Sequence, residues 1–171
     1  PPCGSVFITI GRAVPSLSSI ARDDEFVTLT QSSMNRRRKP SADLYDDFTL
    51  SIWAKPETFA LPGRGFLINA GDGQSLYGPD HASCGLAAGR NGIFVYEKAG
   101  GAANVVLRHD APLAGWTHIA LVYRQRRPAL YVDGVKAAEG TGASWHVHPG
   151  QESEVSFAEV RSRFVGDASE P

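Results

Sequence analysis

Apolar and polar residues alternate along most of this 171-residue chain in short segments, which glycine and proline separate. There are 18 glycines and 11 prolines, so turns recur at short intervals. The segments between them are rich in β-branched and aromatic residues, a pattern typical of strands. The predicted strands are Val6–Ile10, Phe26–Thr30, Asp47–Lys55, Gly65–Ala70, Gly85–Ala88, Ile93–Glu97, Asn104–Arg108, Trp116–Arg124, Pro128–Val132, Val135–Ala138, Glu154–Val160 and Arg163–Val165.

Two of these segments show the clearest patterns. In Asp47–Lys55 the strand period of two separates an apolar face from a mixed face that carries Thr49, Ser51, Trp53 and Lys55. Trp116–Arg124 is largely apolar on both faces, which predicts a central strand covered on each side.

Two dipeptides predict tight hairpins. Asn91–Gly92 and Asp133–Gly134 both favour the positive φ values of a type I′ turn. No segment has a helical period, and Gly71–His81 and Glu139–Glu152 are predicted to be loops. The chain is therefore predicted to be all-β, either a sandwich or a barrel, and composition does not choose between them.

Composition excludes some classes of function. The formal net charge of −1 gives no sign of a nucleic-acid-binding surface. The basic run Arg36–Lys39 is interpreted as a solvated loop or, alternatively, as a site for an anion or a partner. No stretch approaches the ~18 apolar residues of a membrane span. Cys3 and Cys84 allow one disulfide, but a domain of this size does not need it, and free, partly buried thiols are the simpler interpretation.

A family resemblance rests on the segment Ala114–Gly134, which reads AGWTHIALVYRQRRPALYVDG. It resembles the laminin-G-like, concanavalin A-like jelly-roll family, whose hallmark is a Gly-Trp-x-His strand followed by a Leu-Tyr-Val-Asp/Asn-Gly hairpin. Phe48–Pro56 (FTLSIWAKP) resembles a second motif of that family. The resemblance implies an antiparallel two-sheet β-sandwich with a structural motif made of Trp116, His118, Tyr131, Asp133 and Gly134.

The same resemblance sets expectations for the motif and the domain bounds. Trp116 and Tyr131 are expected in the core, and His118 is expected to be a core histidine with a hydrogen-bond partner. The sandwich is expected over residues 25–166, after a leading strand and linker at 1–24 and before a tail at 167–171. The family's final Phe-x-Gly strand is only faint, at Phe164–Gly166.

A narrower resemblance rests on Tyr77–Glu97 (YGPDHASCGLAAGRNGIFVYE), the Trp-x-His motif and His146–Pro149 (HVHP). These resemble the laminin-G-like module of large bacterial α-L-rhamnosidases, which are secreted or periplasmic glycoside hydrolases with a separate catalytic barrel. The resemblance implies a fragment of such an enzyme: an accessory module that binds carbohydrate or buttresses the catalytic domain.

Catalytic motifs are not found in the sequence. Concanavalin A-like glucanases carry Glu-x-Asp-x-x-Glu or Glu-x-Asp-x-Glu on one strand, whereas Glu152, Glu154 and Glu159 lack the central Asp and the spacing. There is no Gly-x-Ser-x-Gly elbow, and Cys84 near His81 has no orienting partner in the sequence. We predict that the chain is not itself an enzyme. A small glycosidase or lyase is one alternative, and a protein–protein adhesion module using Arg36–Lys39 is another.

Ligand-binding side chains are predicted in the loops. His146 and His148 lie on one side of an extended segment, as a zinc or nickel pair can, although no third ligand stands out, and a loop feature is the simpler interpretation. Asp72 and Asp80 are candidate ligands for a structural calcium, with backbone carbonyls of the same loop. Carbohydrate binding needs exposed aromatic rings among polar groups, and the candidates are Trp145, His146, Tyr77 and Trp53.

Overall fold

Twelve strands and one short helix make up the secondary structure of the residues that the computed structural model describes, 8–11, 26–29, 44–60, 66–150 and 164–169. In chain order they are β1 (Ile8–Gly11), β2 (Phe26–Leu29), β3 (Phe48–Pro56), β4 (Phe66–Ile68), α1 (Gly73–Tyr77), β5 (His81–Gly89), β6 (Gly92–Ala99), β7 (Ala102–His109), β8 (Thr117–Arg124), β9 (Arg127–Val132), β10 (Val135–Glu139), β11 (His146–His148) and β12 (Gly166–Ser169). The strands form two sheets around a shared core, which confirms the predicted all-β sandwich.

The first sheet has the strand order β10-β9-β8-β3-β1-β2, and β12 also pairs with β3. Burial alternates along β3 as its sequence pattern predicts. β8 lies antiparallel to β3 along most of its length, with Phe48 opposite Tyr123 and Ala54 opposite Thr117. The two segments with the strongest patterns thus form the centre of this sheet.

The core lies between the sheets and is apolar. Both sheets contribute fully buried side chains, among them Phe48, Leu50, Ile52, Leu86, Val95, Ile119, Leu121 and Tyr123. The rings of Phe48 and Tyr123 stack with centroids 4.9 Å apart. Each such side chain stabilises the fold by about 1.5–3 kcal/mol through removal from water.

The outer face of β8 departs from the prediction. Only one face of this strand is fully buried, and the other is half-buried. Trp116, expected in the core, is 49% exposed and stands just before the strand begins. Tyr131 is half-buried on β9, opposite Ala120. An apolar run shows that a strand is central within its sheet, but it does not show that another layer covers both faces.

The second sheet has the strand order β11-β5-β6-β7, and β4 also pairs with β5. β11 runs parallel to β5 and lies within the predicted loop Glu139–Glu152. α1 lies within the predicted loop Gly71–His81. Neither element was predictable, because three residues are too few to show alternation and five are too few to show a helical period.

Both predicted hairpins exist. Asp133 (φ 49°) and Gly134 (φ 78°) have the positive φ values expected of their turn. In the other hairpin the turn residues are Arg90 and Asn91, while Gly92 begins β6 with φ 140°. A Cβ atom on Gly92 would lie 2.1 Å from the backbone oxygen of His109, so the close strand approach requires glycine there.

The predicted leading segment and tail both join the first sheet. β1 pairs with β3, and β12 pairs with β3 just after the predicted closing strand Arg163–Val165. These parts therefore share a sheet with the predicted domain 25–166. Other predictions lie outside the described residues, namely the Cys3 half of a disulfide, the basic run Arg36–Lys39, the strand Glu154–Val160 and the acidic residues Glu152, Glu154 and Glu159. In the described ranges, no helix has the length and apolar character needed to cross a membrane.

Candidate functional site

Three histidines and two tyrosines meet at the edge of the second sheet where β11 pairs with β5. The parallel register sets His146 beside His81 and His148 beside Ser83, so these four side chains project from the same face. Rings from the segment before β3 and from the end of α1 join them. We call this group the histidine–tyrosine cluster, and its members are Tyr45, Tyr77, His81, His146 and His148.

His148 is the most buried member of the cluster, with 1% of its surface exposed. Its Nε2 lies 2.8 Å from Nδ1 of His81, and its ring stacks on Tyr77 with centroids 3.7 Å apart. Burial lowers the pKa of His148 to about 4, and the neighbouring His81 adds to this effect. The His148 ring is therefore neutral at pH 7.

One buried polar atom beside this pair, the hydroxyl of Ser83, has no hydrogen-bond partner among the described residues. His148 differs, because a hydrogen bond with the Leu44 backbone opposes the lowering of its pKa. Buried polar atoms almost always have partners, so the Ser83 hydroxyl is able to bind a further polar group.

Asp46 holds β11 in position. Its Oδ1 accepts from the backbone N–H of Val147 at 2.9 Å, and its Oδ2 lies 2.6 Å from Nδ1 of His146. Nε of Arg126 donates to the same Oδ2 at 3.1 Å. Burial raises the pKa of Asp46, but these hydrogen bonds outweigh it and lower the pKa overall. The carboxylate thus orients His146, whose ring stands edge-on to Tyr45 with centroids 4.9 Å apart.

Asp72, a predicted calcium ligand, is the N-cap of α1. Its carboxylate accepts from the backbone N–H groups of Gln74, Ser75, Gly100 and Gly101. Burial opposes ionisation of Asp72, but these donors lower its pKa overall. Asp80, the other predicted ligand, is exposed. No three His, Cys, Asp or Glu side chains in the described part of the chain are placed to hold one ion, and a calcium ion held with backbone carbonyls stays a prediction.

Trp145 is not the exposed ring that the sequence predicts. It packs against the core, and its indole N–H donates to Oε2 of Glu97 at 2.8 Å. Glu97 is 2% exposed, and its Oε1 accepts from the hydroxyl of Tyr123 at 2.9 Å. Burial raises the pKa of Glu97, and the two hydrogen bonds only partly offset that effect. Trp145 therefore anchors the segment before β11 to the interior.

Replacing Trp145 with Phe will lower the free energy of unfolding by about 1–3 kcal/mol, because Oε2 of Glu97 loses its donor while remaining buried. Chemical denaturation at pH 7 measures the change. Trp53→Phe is the matched control. The Trp53 ring lies on the outer face of the first sheet, so its replacement should lower the free energy of unfolding by less. Equal losses in the two variants would contradict the anchoring role.

Cys84 faces the interior directly opposite Glu97. It is fully buried, and that burial raises its pKa to about 12. The thiol is therefore protonated at pH 7 and inaccessible, so Cys84 cannot serve as a nucleophile with His81 in this state.

The remaining predicted residues lie on the outer face of the first sheet. The rings of Trp53 and His118 have centroids 5.1 Å apart. Nε2 of His118 lies 2.7 Å from the hydroxyl of Ser51, so His118 has a partner as expected, although it is half-buried rather than in the core. Oδ1 of Asp133 accepts from the His118 backbone N–H at 2.8 Å, which joins the hairpin turn to β8.

The structure thus separates the four predicted carbohydrate-binding residues. Tyr77 and His146 come together in the histidine–tyrosine cluster, whereas Trp145 points inward and Trp53 lies on the other sheet. The sequence reading missed Tyr45 and Asp46, because no local pattern links them to β11, about a hundred residues away. The signal present in the sequence was the pair of predicted loops Gly71–His81 and Glu139–Glu152, and described residues of both loops meet here.

Comparison with known proteins defines the class. Residues 30–162 match a laminin-G-type family model described as the concanavalin A-like lectin/glucanases superfamily. The chain belongs to this superfamily, which agrees with its two-sheet fold and supports a carbohydrate-binding or related module. Searches of curated proteins and of solved structures found no match to the chain.

Proposed function

We propose that the chain is a non-catalytic module that binds carbohydrate through the histidine–tyrosine cluster. The observation that carries this proposal is the position of Tyr45, a residue that is 41% exposed and lies beside the hydrogen-bonded side chains of His146 and Asp46. A sugar presents C–H faces to an aromatic ring and hydroxyls to polar groups. Sites of this kind combine apolar surface with a few fixed polar atoms.

The rigidity of the surrounding strands supports this proposal. His146 is fixed by Asp46, and Tyr77 is stacked on the buried ring of His148. Side chains held in one conformation before binding lose little entropy when a ligand arrives. The cluster therefore presents a preformed surface rather than a mobile loop.

Three carboxylates near the cluster are buried or held in hydrogen bonds, which supports a non-catalytic role for them. Glycoside hydrolysis needs two carboxyl groups that both reach the sugar. Asp46 is engaged by Val147, His146 and Arg126, and the carboxylate of Asp72 by four backbone N–H groups. Glu97 lies in the interior, where a sugar cannot reach it.

Replacing Tyr45 with Ala will weaken carbohydrate binding by about tenfold, which corresponds to about 1.4 kcal/mol, while the fold is retained. A glycan array and affinity gels containing plant or bacterial polysaccharides identify the ligand, and titration calorimetry of the wild type and variant measures the loss. Phe59→Ala is the matched control, because Phe59 is an aromatic residue outside the cluster that is 70% exposed.

Two results would contradict this assignment. A loss of affinity in Trp116→Ala but not in Tyr45→Ala would move the site to the first sheet. If the chain binds none of the polysaccharides, the carbohydrate-binding proposal is wrong and a buttressing role is favoured. Trp116 and Val135, which are 49% and 70% exposed, favour that second function, since they could contact a neighbouring domain.

The wider context is also a proposal. We infer that the module is an accessory part of an extracytoplasmic glycoside hydrolase, secreted or periplasmic, such as an α-L-rhamnosidase. Its support is the sequence resemblance of Tyr77–Glu97 and His146–Pro149 to the module of those enzymes. Sequencing the gene around this chain tests it, and a reading frame without a glycoside hydrolase catalytic barrel would contradict it.

A further inference from the structure

We propose that His81 and His148 form a binding site for a divalent transition-metal ion of the class that prefers imidazole ligands, with copper(II) as the tightest-binding member. Nδ1 of His81 and Nε2 of His148 face each other at 2.8 Å. The two rings share one hydrogen in this contact. A metal ion in place of this hydrogen needs the lone pairs of both nitrogens. The ring that carried the hydrogen releases it and takes up a proton at its other nitrogen, so both imidazoles bind as neutral ligands.

The geometry is close to that of a metal-bound pair. Metal–nitrogen bonds of ~2.0–2.1 Å at the right angle of a tetragonal copper(II) site separate two ligand nitrogens by about 2.9 Å. The observed separation of 2.8 Å is slightly shorter. A small rotation of His81 supplies the difference, because that residue begins β5 and is only half-buried.

Ser83 provides an independent observation. It is fully buried, and its hydroxyl has no hydrogen-bond partner within the described ranges. It is the direct neighbour of His148 across the β5–β11 pair and lies on the same face as His81, two residues along β5. An unpartnered buried hydroxyl costs about 1–3 kcal/mol. A water molecule bound to the metal would supply the missing partner.

The site has two protein ligands. No three His, Cys, Asp or Glu side chains of the described residues surround one point, and His146 already directs Nδ1 at Asp46. Water molecules therefore complete the coordination shell, so the site binds its metal less tightly than a structural zinc site with four protein ligands does. The metal site lies within the histidine–tyrosine cluster, but its test does not depend on carbohydrate binding, because the metal alone is the probe.

The experiment is a titration of the full chain with copper(II) sulfate at pH 7.5 in a non-coordinating buffer, followed by calorimetry and electron paramagnetic resonance. We expect one ion per chain, with a spectrum that shows two nitrogen ligands. His81→Gln should weaken binding by at least ~10-fold, since even removing an outer partner of a ligand histidine costs 10–100-fold. His109→Gln and His118→Gln, which change histidines outside the cluster, should leave the affinity unchanged.

Three results would overturn the assignment. They are the absence of saturable binding, an unchanged affinity in His81→Gln, and a loss in His146→Gln as large as that in His81→Gln. The His81 variant carries the test because His81 is half-buried, whereas replacing His148 also removes the ring on which Tyr77 stacks. Carbohydrate binding measured with a chelator present reports separately on the proposed function.

Discussion

Acidification from pH 7 to pH 4 will remove about 3 kcal/mol of unfolding free energy from the metal-free protein through His148 alone. The pKa of this residue falls from 6.5 to about 4 in the folded state, because its ring is buried. Above pH 6.5 the ring is neutral in both states, and its contribution to stability is complete. Between pH 6.5 and about 4 only the unfolded chain takes up the proton, so stability falls progressively.

Other ionisable groups lie near His148, and the experiment must separate their contributions from that of His148. His81, His146 and Asp46 face the same region. The pKa of Asp46 is lowered in the folded state, so Asp46 also stabilises the fold less in acid. The pKa of Glu97 is raised, so Glu97 changes stability in the opposite direction as the pH falls. Urea denaturation of the wild type and of His148→Gln, with a chelator present, is measured at a series of pH values. The contribution of His148 is the difference between the two curves of unfolding free energy against pH.

The test depends on how steeply the unfolding free energy of each protein changes with pH. His148→Gln starts from a lower stability, but its curve should be flatter between pH 6.5 and 4. His109→Gln, on β7, is the matched control and should keep the wild-type slope. Parallel curves for the wild type and His148→Gln would show that His148 titrates normally in the folded protein.

Replacing Gly73 with Ala will destabilise the protein by about 3 kcal/mol, at the upper end of the usual cost of overpacking. A Cβ atom at this position would lie 2.3 Å from the backbone of Ala82, and backbone atoms of β5 cannot rotate away as a side chain can. The helix α1 must therefore shift, which carries Tyr77 away from His148.

Thermal and chemical denaturation measure the loss, and near-ultraviolet circular dichroism reports the change around Tyr77. Gly115→Ala is the control, because a Cβ atom at that position would have no atom within 4 Å. We expect this control to change stability by less than about 0.5 kcal/mol. A Gly73 variant as stable as the control would show that α1 does not pack closely on β5.

The fold was predictable where a local pattern determined the structure. The alternation in Asp47–Lys55, the apolar run Trp116–Arg124 and the Asp133–Gly134 turn each depend on neighbouring residues, and all three are confirmed as elements. The exposure of Trp116 was not predictable, because it depends on whether another layer covers that face. The length of the apolar run carries no information on that point.

The candidate site was predictable only as a pair of segments. Residues in both segments were singled out, but the contact of His81 with His148 depends on the parallel pairing of β11 with β5. Trp145 illustrates the same limit. Whether its ring faces solvent or the interior is decided by Glu97, which lies 48 positions earlier in the sequence.

The hydrogen bonds from Asp46 to β11 have a consequence for the order of folding. They join residues 100 and 101 positions apart, whereas the hairpins of both sheets join near neighbours. Contacts between distant residues require closing a long loop, which is entropically costly until the intervening strands have formed. The histidine–tyrosine cluster is therefore expected to assemble late, after the sheets, and an intact cluster reports that the whole sandwich has folded.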